Sequence, residues 1–468
     1  MKRLVPSRLA LSVCLLAALA LSSSAAAARP LFTGFLDPDA SATQRPDLML
    51  ASNDAMQRSR SAGASLVRLY LYWNRVATAE PAEPTDPDDP AYDWSLLDGQ
   101  VQAAVAEGLQ PVLDFRSAPL WAQGPGGDLG GTMSPDASKL GDFARAAAAR
   151  YLGVVTYWEI WNEPNSRAFL RPQRDSEGHP VSPTLYRSLV NAAADALHDV
   201  DSSNVVVVGE TAALKGARGL APLSFLRRFF AGTVEADVVS HHPYTFGSPW
   251  RHAARRDDAS LGDLSEWTRI VRAAVASGNV VSHDGTPKSA VPLWVSELSW
   301  DSSPPDPKGV PARLLARWTS EALYRSWRAG ASAVIWGQLR DYPLTHDSIW
   351  GIYQSGFYTH DDAPKVALAA FRFPFIAYAK RGRLLVWGRT PAGVPGAVVI
   401  QRKSPSGWRQ VRVLNANSSG IFRAGWRSTR TLGLYRASLG TVRSLPFSLT
   451  VPPERYARPF GCGGPVSC

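Results

Sequence analysis

The chain has 468 residues, 45% of them hydrophobic and 19% charged, with a formal net charge of +10. It is long enough for two or three domains and too apolar for a disordered chain. Three cysteines exclude a disulfide-built scaffold, and the lack of a repeat of about 20–50 residues excludes solenoids and propellers.

The chain opens like an export signal. Lys2, Arg3 and Arg8 precede an apolar run from Leu9 to Leu21, and Ala25 to Ala28 supply small residues for cleavage before Arg29 or Pro30. Residues 1–28 therefore read as a signal peptide. The run is short for a transmembrane helix, and no later apolar run is long enough for one. Cys14 lies inside the apolar run, not after it, which argues against a lipid anchor. An extracellular or cell-surface location is expected, where Cys462 and Cys468 would pair in a terminal tail, 453–468.

Between residues 29 and 379, short apolar runs alternate with amphipathic ones. Strands are expected at 31–36, 66–72, 110–115, 156–162, 205–210, 237–242, 293–297 and 333–338. Helical stripes lie between them. Ser95 precedes Leu97, Val101, Ala104 and Val105 on one face, and Ser134-Pro135 and Ser182-Pro183 each read as a capping Ser before a first-turn Pro. Tyr186, Leu189, Val190, Ala193 and Leu197 mark a second stripe; Leu314, Leu315, Trp318, Ala322 and Leu323 mark a third, ending before Gly330. Eight strand–helix alternations predict an α/β fold, a closed (β/α)8 or TIM barrel.

From about residue 380 to 452 the texture changes to short strand-like runs punctuated by Gly, Pro, Ser and Asn, which predicts a small all-β sandwich. Residues 379–468 hold a single acid, Glu454, among many Lys and Arg, whereas 29–378 is net acidic. The basic module suits an anionic cell-wall or glycan surface, or is simply an Arg-rich solvated sheet; nucleic acid is a poor partner for an exported chain.

In a barrel of this kind the C-terminal strand ends face the site. Those ends present Asp37, Arg68, Asp114, Asn162, Glu163, Glu210, His242, Tyr244, Glu297 and Trp336. Glu163, in Trp161-Asn162-Glu163-Pro164-Asn165, and Glu297, in Trp294-Val295-Ser296-Glu297, follow the fourth and seventh strands. Paired carboxylates across a barrel mouth are the machinery of glycoside hydrolysis. Glu210 competes as a second carboxylate, and Glu159 reads as a buried partner. His241 and His242 point to opposite faces of their strand, so a shared metal is not expected. Trp73, Phe115, Trp121, Trp161 and Trp300 are candidates for subsites or for core.

With Arg68, the His242-Pro243-Tyr244 turn and the second Glu in order, residues 30 to about 345 resemble the large (β/α)8 clan of retaining glycoside hydrolases, which includes many cellulases, mannanases and β-xylosidases. In detail the chain is similar to the β-xylosidase and iduronidase-like branch. The resemblance implies Glu163 as acid/base and Glu297 as nucleophile, with carboxyl groups about 5–5.5 Å apart. It implies that Asn162 binds the sugar 2-hydroxyl and that Tyr244 orients the nucleophile. It further implies that His242 supports the site, that Arg68 holds Glu297 ionised and that Trp336 floors the sugar subsite. The substrate would be a polysaccharide or oligosaccharide, and the mechanism needs no metal or organic cofactor. The third strand end departs from the clan: Asp114-Phe115-Arg116 stands where many members have His or an aromatic. Arg116 there suits an acidic or phosphate-bearing sugar, and Arg167, Arg171 and Arg174 in the long segment 164–182 either shape an acidic-sugar subsite or belong to a solvated loop. Two rival readings use the same residues: a non-catalytic carbohydrate-binding surface protein, and a transglycosidase.

Overall fold

A computed structural model of the chain describes residues 29–36, 49–216, 218–342, 354–430 and 432–450, with side chains from residue 54 onward in the first helix. The expected signal peptide, Asp37 and the tail with Cys462 and Cys468 lie outside the described residues.

Eight parallel strands close a barrel: β1 (Phe32–Leu36), β2 (Leu66–Tyr72), β3 (Gln110–Arg116), β4 (Tyr157–Ile160), β5 (Val205–Ala212), β6 (Val238–His242), β7 (Leu293–Leu298) and β8 (Ala331–Trp336). Each is followed by a helix: α1 (Met49–Ser61), α2 (Ser95–Ala106), α3 (Ala137–Arg150), α4 (Ser182–Val200), α5 (Pro222–Phe229), α6 (Leu264–Ala276), α7 (Ala312–Ala329) and α8 (Val366–Arg372). The strands are almost wholly buried because helices cover their outer faces while the barrel interior fills their inner ones.

The interior is built in layers that follow the two-residue period of a strand. Leu66, Val112, Val207, Val238, Trp294 and Ala333 form an apolar plug at the N-terminal end. Two residues further along several of these strands the same face becomes polar: Arg68, Asp114, Glu159 after Tyr157, Ser240 and Ser296, all buried. One more step up brings Tyr70, Arg116 and His242 toward the mouth. The chemistry therefore rests on a solid apolar base.

None of the three serines read as helix caps serves as one. Asp136 caps α3, its carboxylate accepting from the Lys139 backbone N–H at 3.1 Å, while Ser134 sits at φ 43° before it. An anionic oxygen answers the helix N-terminus better than a hydroxyl. Ser182 instead donates to Gln173 at 3.1 Å, and Ser95 lies inside the first turn of α2.

After α8 the chain forms two antiparallel sheets. One has the order β9 (Phe375–Lys380), β10 (Arg383–Arg389), β13 (Ile421–Arg427). The other pairs β12 (Gly407–Ala416) with β11 (Gly396–Ser404), and β11 with β14 (Leu434–Leu439). The β9–β10 hairpin straddles residue 380, so the all-β region begins at Phe375. It seats on α7: Trp387 packs on Tyr324 and Trp327 with ring centroids 5.4 and 5.7 Å apart, and the Tyr378 hydroxyl donates to Glu321 at 3.0 Å.

Candidate active site

The loop after β4 carries Asn162 and Glu163 on strained backbone, with Trp161 at φ 69° and Glu163 at φ 42°. Such φ values in non-glycine residues cost about 1–3 kcal/mol each and persist where surroundings enforce them. Here the enforcement is visible. The Trp161 indole donates to the Phe169 carbonyl at 2.9 Å, and the Glu163 backbone N–H donates to the Glu210 carbonyl at 3.1 Å. Buried Asn165 donates to the Ala212 and Leu220 carbonyls at 3.2 and 3.0 Å and accepts from the Ala212 N–H at 2.8 Å. Asn165→Ala orphans these groups. It is expected to cost about 1–3 kcal/mol of stability, with a fall in turnover as Glu163 is released. Denaturant unfolding and turnover measured side by side check it; an unchanged midpoint would show the loop is held by other contacts.

Two strand irregularities aim the other acids inward. The β7–β8 register shifts between Val295 and Leu298, so Ser296 and Glu297 escape strict alternation. The β5–β6 register shifts between Val208 and Thr211, at Gly209 (φ 110°) and Glu210 (φ 38°). Bulges of this kind commonly re-aim side chains beside active sites. At Gly209 a Cβ would lie 2.7 Å from the Ser240 carbonyl, so the close approach of β6 also requires glycine.

Arg68 is the hub. Fully buried, it pairs with Glu159, with Glu297 at 2.5 Å and with Asp114 at 3.1 Å, and donates to the Asn162 side-chain oxygen at 3.3 Å. Glu210 lies 3.9 Å away. Tyr244 donates to the other Glu297 oxygen at 3.1 Å. His242 Nδ1 lies 3.2 Å from Glu163 and 3.7 Å from Glu297. Carboxylate oxygens of Glu163 and Glu297 and a His242 nitrogen all lie within 4.8 Å of one another. The side chains of Glu163 and Glu297 remain 18% and 11% exposed, which leaves both reachable.

The acids in this cluster are not equivalent. Burial works to raise the Glu297 carboxyl, but neighbouring His242, Arg68 and Arg116 outweigh it and hold it below its usual value. Burial dominates for Glu210, with Glu159 and Asp114 adding to it, and pushes its carboxyl far up. Its environment thus favours the neutral acid, the opposite of the bias that keeps Glu297 anionic. Burial also raises Glu159 and Asp114 despite Arg68. Asp114, Glu159 and Glu210 come close enough to hold a cation, and the Arg68 guanidinium occupies that position.

The remaining expected residues divide. His242 faces the carboxylates, whereas His241 points outward, stacked on Trp267 and bonded to the Ala259 carbonyl at 2.8 Å. Trp336 is fully buried: its indole donates to the Ser355 carbonyl at 2.9 Å and its ring stacks on Phe357 at 4.8 Å. It backs the wall and has no exposed face to floor a subsite. Trp73, Phe115, Trp161 and Trp300 are likewise core, while Trp121 is half-buried. Arg116 pairs with Asp114 at 3.2 Å, its guanidinium over the Tyr70 ring at 3.9 Å. Arg171 pairs with Asp128, whereas exposed Arg174 donates to the Gly178 carbonyl at 2.7 Å. Tyr70 and the serine pair Ser240 and Ser296 were missed in the sequence reading. The signal was there, since each sits on the inward face of a strand, two residues from an apolar plug residue or from Arg68.

No curated protein sequence matches the chain. Among solved structures it is similar to a family 39 glycoside hydrolase from the gut symbiont Bacteroides cellulosilyticus WH2. That match has a TM-score of 0.54 and 17% identity over 85% of this chain and 81% of that one. It is also similar to GH5_18 from Streptomyces cattleya in complex with GlcNAc, with a TM-score of 0.52 and 17% identity over 74% of this chain and 79% of that one. At such identity these likenesses speak to the barrel alone. The model of the cellulase family (glycosyl hydrolase family 5) matches residues 40–281, just over half the chain and the part that carries Arg68, Asn162, Glu163, His242 and Tyr244, so the chain belongs to glycosyl hydrolase family 5.

Proposed function

We propose that this glycosidase is an exported, retaining enzyme that hydrolyses O-glycosidic bonds of a polysaccharide or oligosaccharide by double displacement. One observation carries the reading: Glu163 and Glu297 approach within 4.8 Å across one histidine, and Arg68 fastens to Glu297. A gap this short suits direct attack by one carboxylate, since inverting enzymes leave about 6.5–9.5 Å for a water between theirs.

In this reading Glu297, kept anionic, attacks the anomeric carbon while Glu163 gives its proton to the departing oxygen. A glycosyl ester forms at Glu297. Glu163, now a base, then takes a proton from water, which attacks the same carbon and restores Glu297. Asn162 accepts from Arg68 through its oxygen, which turns its amide N–H groups to the sugar 2-hydroxyl. Tyr244 steadies the second Glu297 oxygen.

The test is reducing-end release from a panel of polysaccharides and aryl glycosides, with the first-formed anomer followed by NMR. Retained configuration is expected, and inversion would overturn double displacement. Products longer than the substrate would assign a transglycosidase, and sugar binding without turnover a binding protein. Glu163→Gln is expected to lose about 10²–10⁴-fold in turnover on sugars with poor leaving groups, and much less on activated aryl glycosides that need no proton. Equal losses on both substrate types would remove Glu163 from the acid role.

Export is part of the same proposal. The N-terminus of the secreted protein is expected at Arg29 or Pro30, and an intact Met1 would contradict it. The exposed Arg409 and Arg412 of β12 support adhesion of the basic C-terminal region to anionic wall or glycan. Retention on such a surface should weaken with salt and with Arg→Glu changes at both positions; salt-independent retention would sink that idea.

A further inference from the structure

A second cluster of chemistry-bearing side chains sits on the flank of the barrel, where α4 ends and the chain enters β5, opposite the catalytic mouth. His198 is on the last turn of α4. Glu235 belongs to a short parallel bridge, in which Val234 and Glu235 pair with Val280 and Val281, and His283 follows two residues after Val281. His198 Nδ1 lies 2.6 Å and His283 Nδ1 3.1 Å from the same Glu235 oxygen. The two imidazole centroids are 5.5 Å apart. All three residues offer a ligand atom within 4.8 Å of the others. Asp195, one turn before Asp199 on α4, places a carboxylate oxygen 3.7 Å from His283 Nδ1.

We propose that His198, His283 and Glu235, with Asp195 as fourth ligand, form a binding site for a divalent transition metal of the zinc type. Two imidazoles and carboxylate oxygens are a donor set that such ions take in four-coordinate geometry. The outer partners match as well. A ligating histidine normally turns its other nitrogen to a carboxylate or carbonyl, which fixes the ring. His198 Nε2 lies 3.0 Å from Asp237 and 3.1 Å from the Asn204 carbonyl, and His283 Nε2 lies 3.3 Å from Asp199. Those carboxylates are themselves anchored, Asp199 by Arg145 at 2.5 Å and Asp237 by Lys288.

Both rings thus present Nδ1 to one point, with their far nitrogens already engaged. Tetrahedral bonds of about 2.0–2.1 Å place ligand atoms ~3.3 Å apart. The His283–Glu235 spacing is close to that. The His198–Glu235 pair need part by less than about 1 Å as the metal displaces the proton they share. His283 is 36% exposed and Asp195 more so, which opens a path from solvent. The site is structural in kind: it ties α4 to the segments before β6 and β7.

Calorimetric titration of the untagged full chain with Zn²⁺ tests this, with Co²⁺ absorption reporting the geometry. One equivalent is expected to bind, with tetrahedral Co²⁺ bands. His283→Gln and Glu235→Gln should each weaken binding at least tenfold. Asp199→Asn, which alters the partner of His283 Nε2 and leaves Nδ1 free to ligate, should weaken it about 10–100-fold. His283 is partly exposed, so its variant should fold even where one at His198 does not. The double variant Glu163→Gln/Glu297→Gln should bind as tightly as the parent, which separates this site from the catalytic cluster. Failure to bind Zn²⁺, binding unaffected by His283→Gln, or binding lost with the catalytic carboxylates would each overturn the proposal.

Discussion

Replacing Glu297 by Gln is expected to lower kcat by roughly 10⁴-fold or more, on the scale that loss of a reacting nucleophile costs. The geometry explains why so small a change does so much. Glutamine keeps the shape but has one acceptor oxygen, so it can accept from Arg68 or from Tyr244, which donate to different Glu297 oxygens at 2.5 and 3.1 Å, but not from both. What disappears is the anion that attacks the sugar. The same substitution imitates the protonated acid, which sets the sign of its effect on stability. The folded-state Glu297 carboxyl lies below its usual value, so its contribution is present above the unfolded pKa and is lost as pH falls through the folded one. The variant should therefore be less stable than the parent at neutral pH and approach it in acid. An activated fluoroglycoside incubated with the parent should leave a sugar ester at Glu297, located by peptide mass spectrometry. An ester at Glu210, or turnover surviving in Glu297→Gln, would reassign the nucleophile.

The barrel was largely legible because parallel strands buried on both faces read as unbroken apolar runs. β2 was expected and found at 66–72, and the other seven barrel strands agree to within two residues at either end. The β9 strand was missed for the same physical reason acting in the other direction. Phe375-Ile376-Ala377-Tyr378-Ala379 is buried between α7 and the second sheet, so it shows no alternation, and it follows a helix where the alternating pattern had ended. The small residues that cap helices were misread because candidate caps compete locally. Asp136 stands two residues from Ser134, and only the three-dimensional path shows which oxygen meets the free N–H groups.

The site was legible as a set of residues but not as a circuit. Strand-end positions are readable from periodicity, which is how Arg68, Asn162, Glu163, His242, Tyr244 and Glu297 were found. Which acid serves which cation is not, because it depends on the bulges at Gly209-Glu210 and Ser296-Glu297. Glu210 illustrates the loss. By sequence it was a rival to Glu297, yet it lies at a register shift, buried beside Glu159 and Asp114, where burial pushes its carboxyl up. Trp336 shows the converse. Its place at the end of β8 was read correctly, but Phe357, contributed from beyond the strand, covers its face.

Arg68→Met is expected to destabilise the fold by about 3–5 kcal/mol, as removal of one partner from a buried ionic cluster does, and to abolish measurable turnover. Methionine fills much of the volume, so the loss is electrostatic. Arg68 has no exposed surface, and it pairs with Glu159, Glu297 and Asp114, with Glu210 close by. Without it these acids face one another at low dielectric. The cheapest remedy is to take up protons, which gives the prediction a pH signature. Burial already raises the folded-state carboxyls of Asp114 and Glu159 above their unfolded values, and losing the cation raises them further. A carboxyl raised in this way contributes stability below its unfolded pKa and forfeits it as pH rises through the folded one. The deficit of the variant should therefore be smaller near about pH 4.5 than near about pH 7.5, with the acids protonated in the first case and repelling in the second. Turnover should not recover in acid, because the protons that rescue the fold also silence Glu297. Urea titrations at the two pH values decide the matter. A deficit independent of pH would mean that Arg68 acts by packing and not as the counter-charge of the cluster.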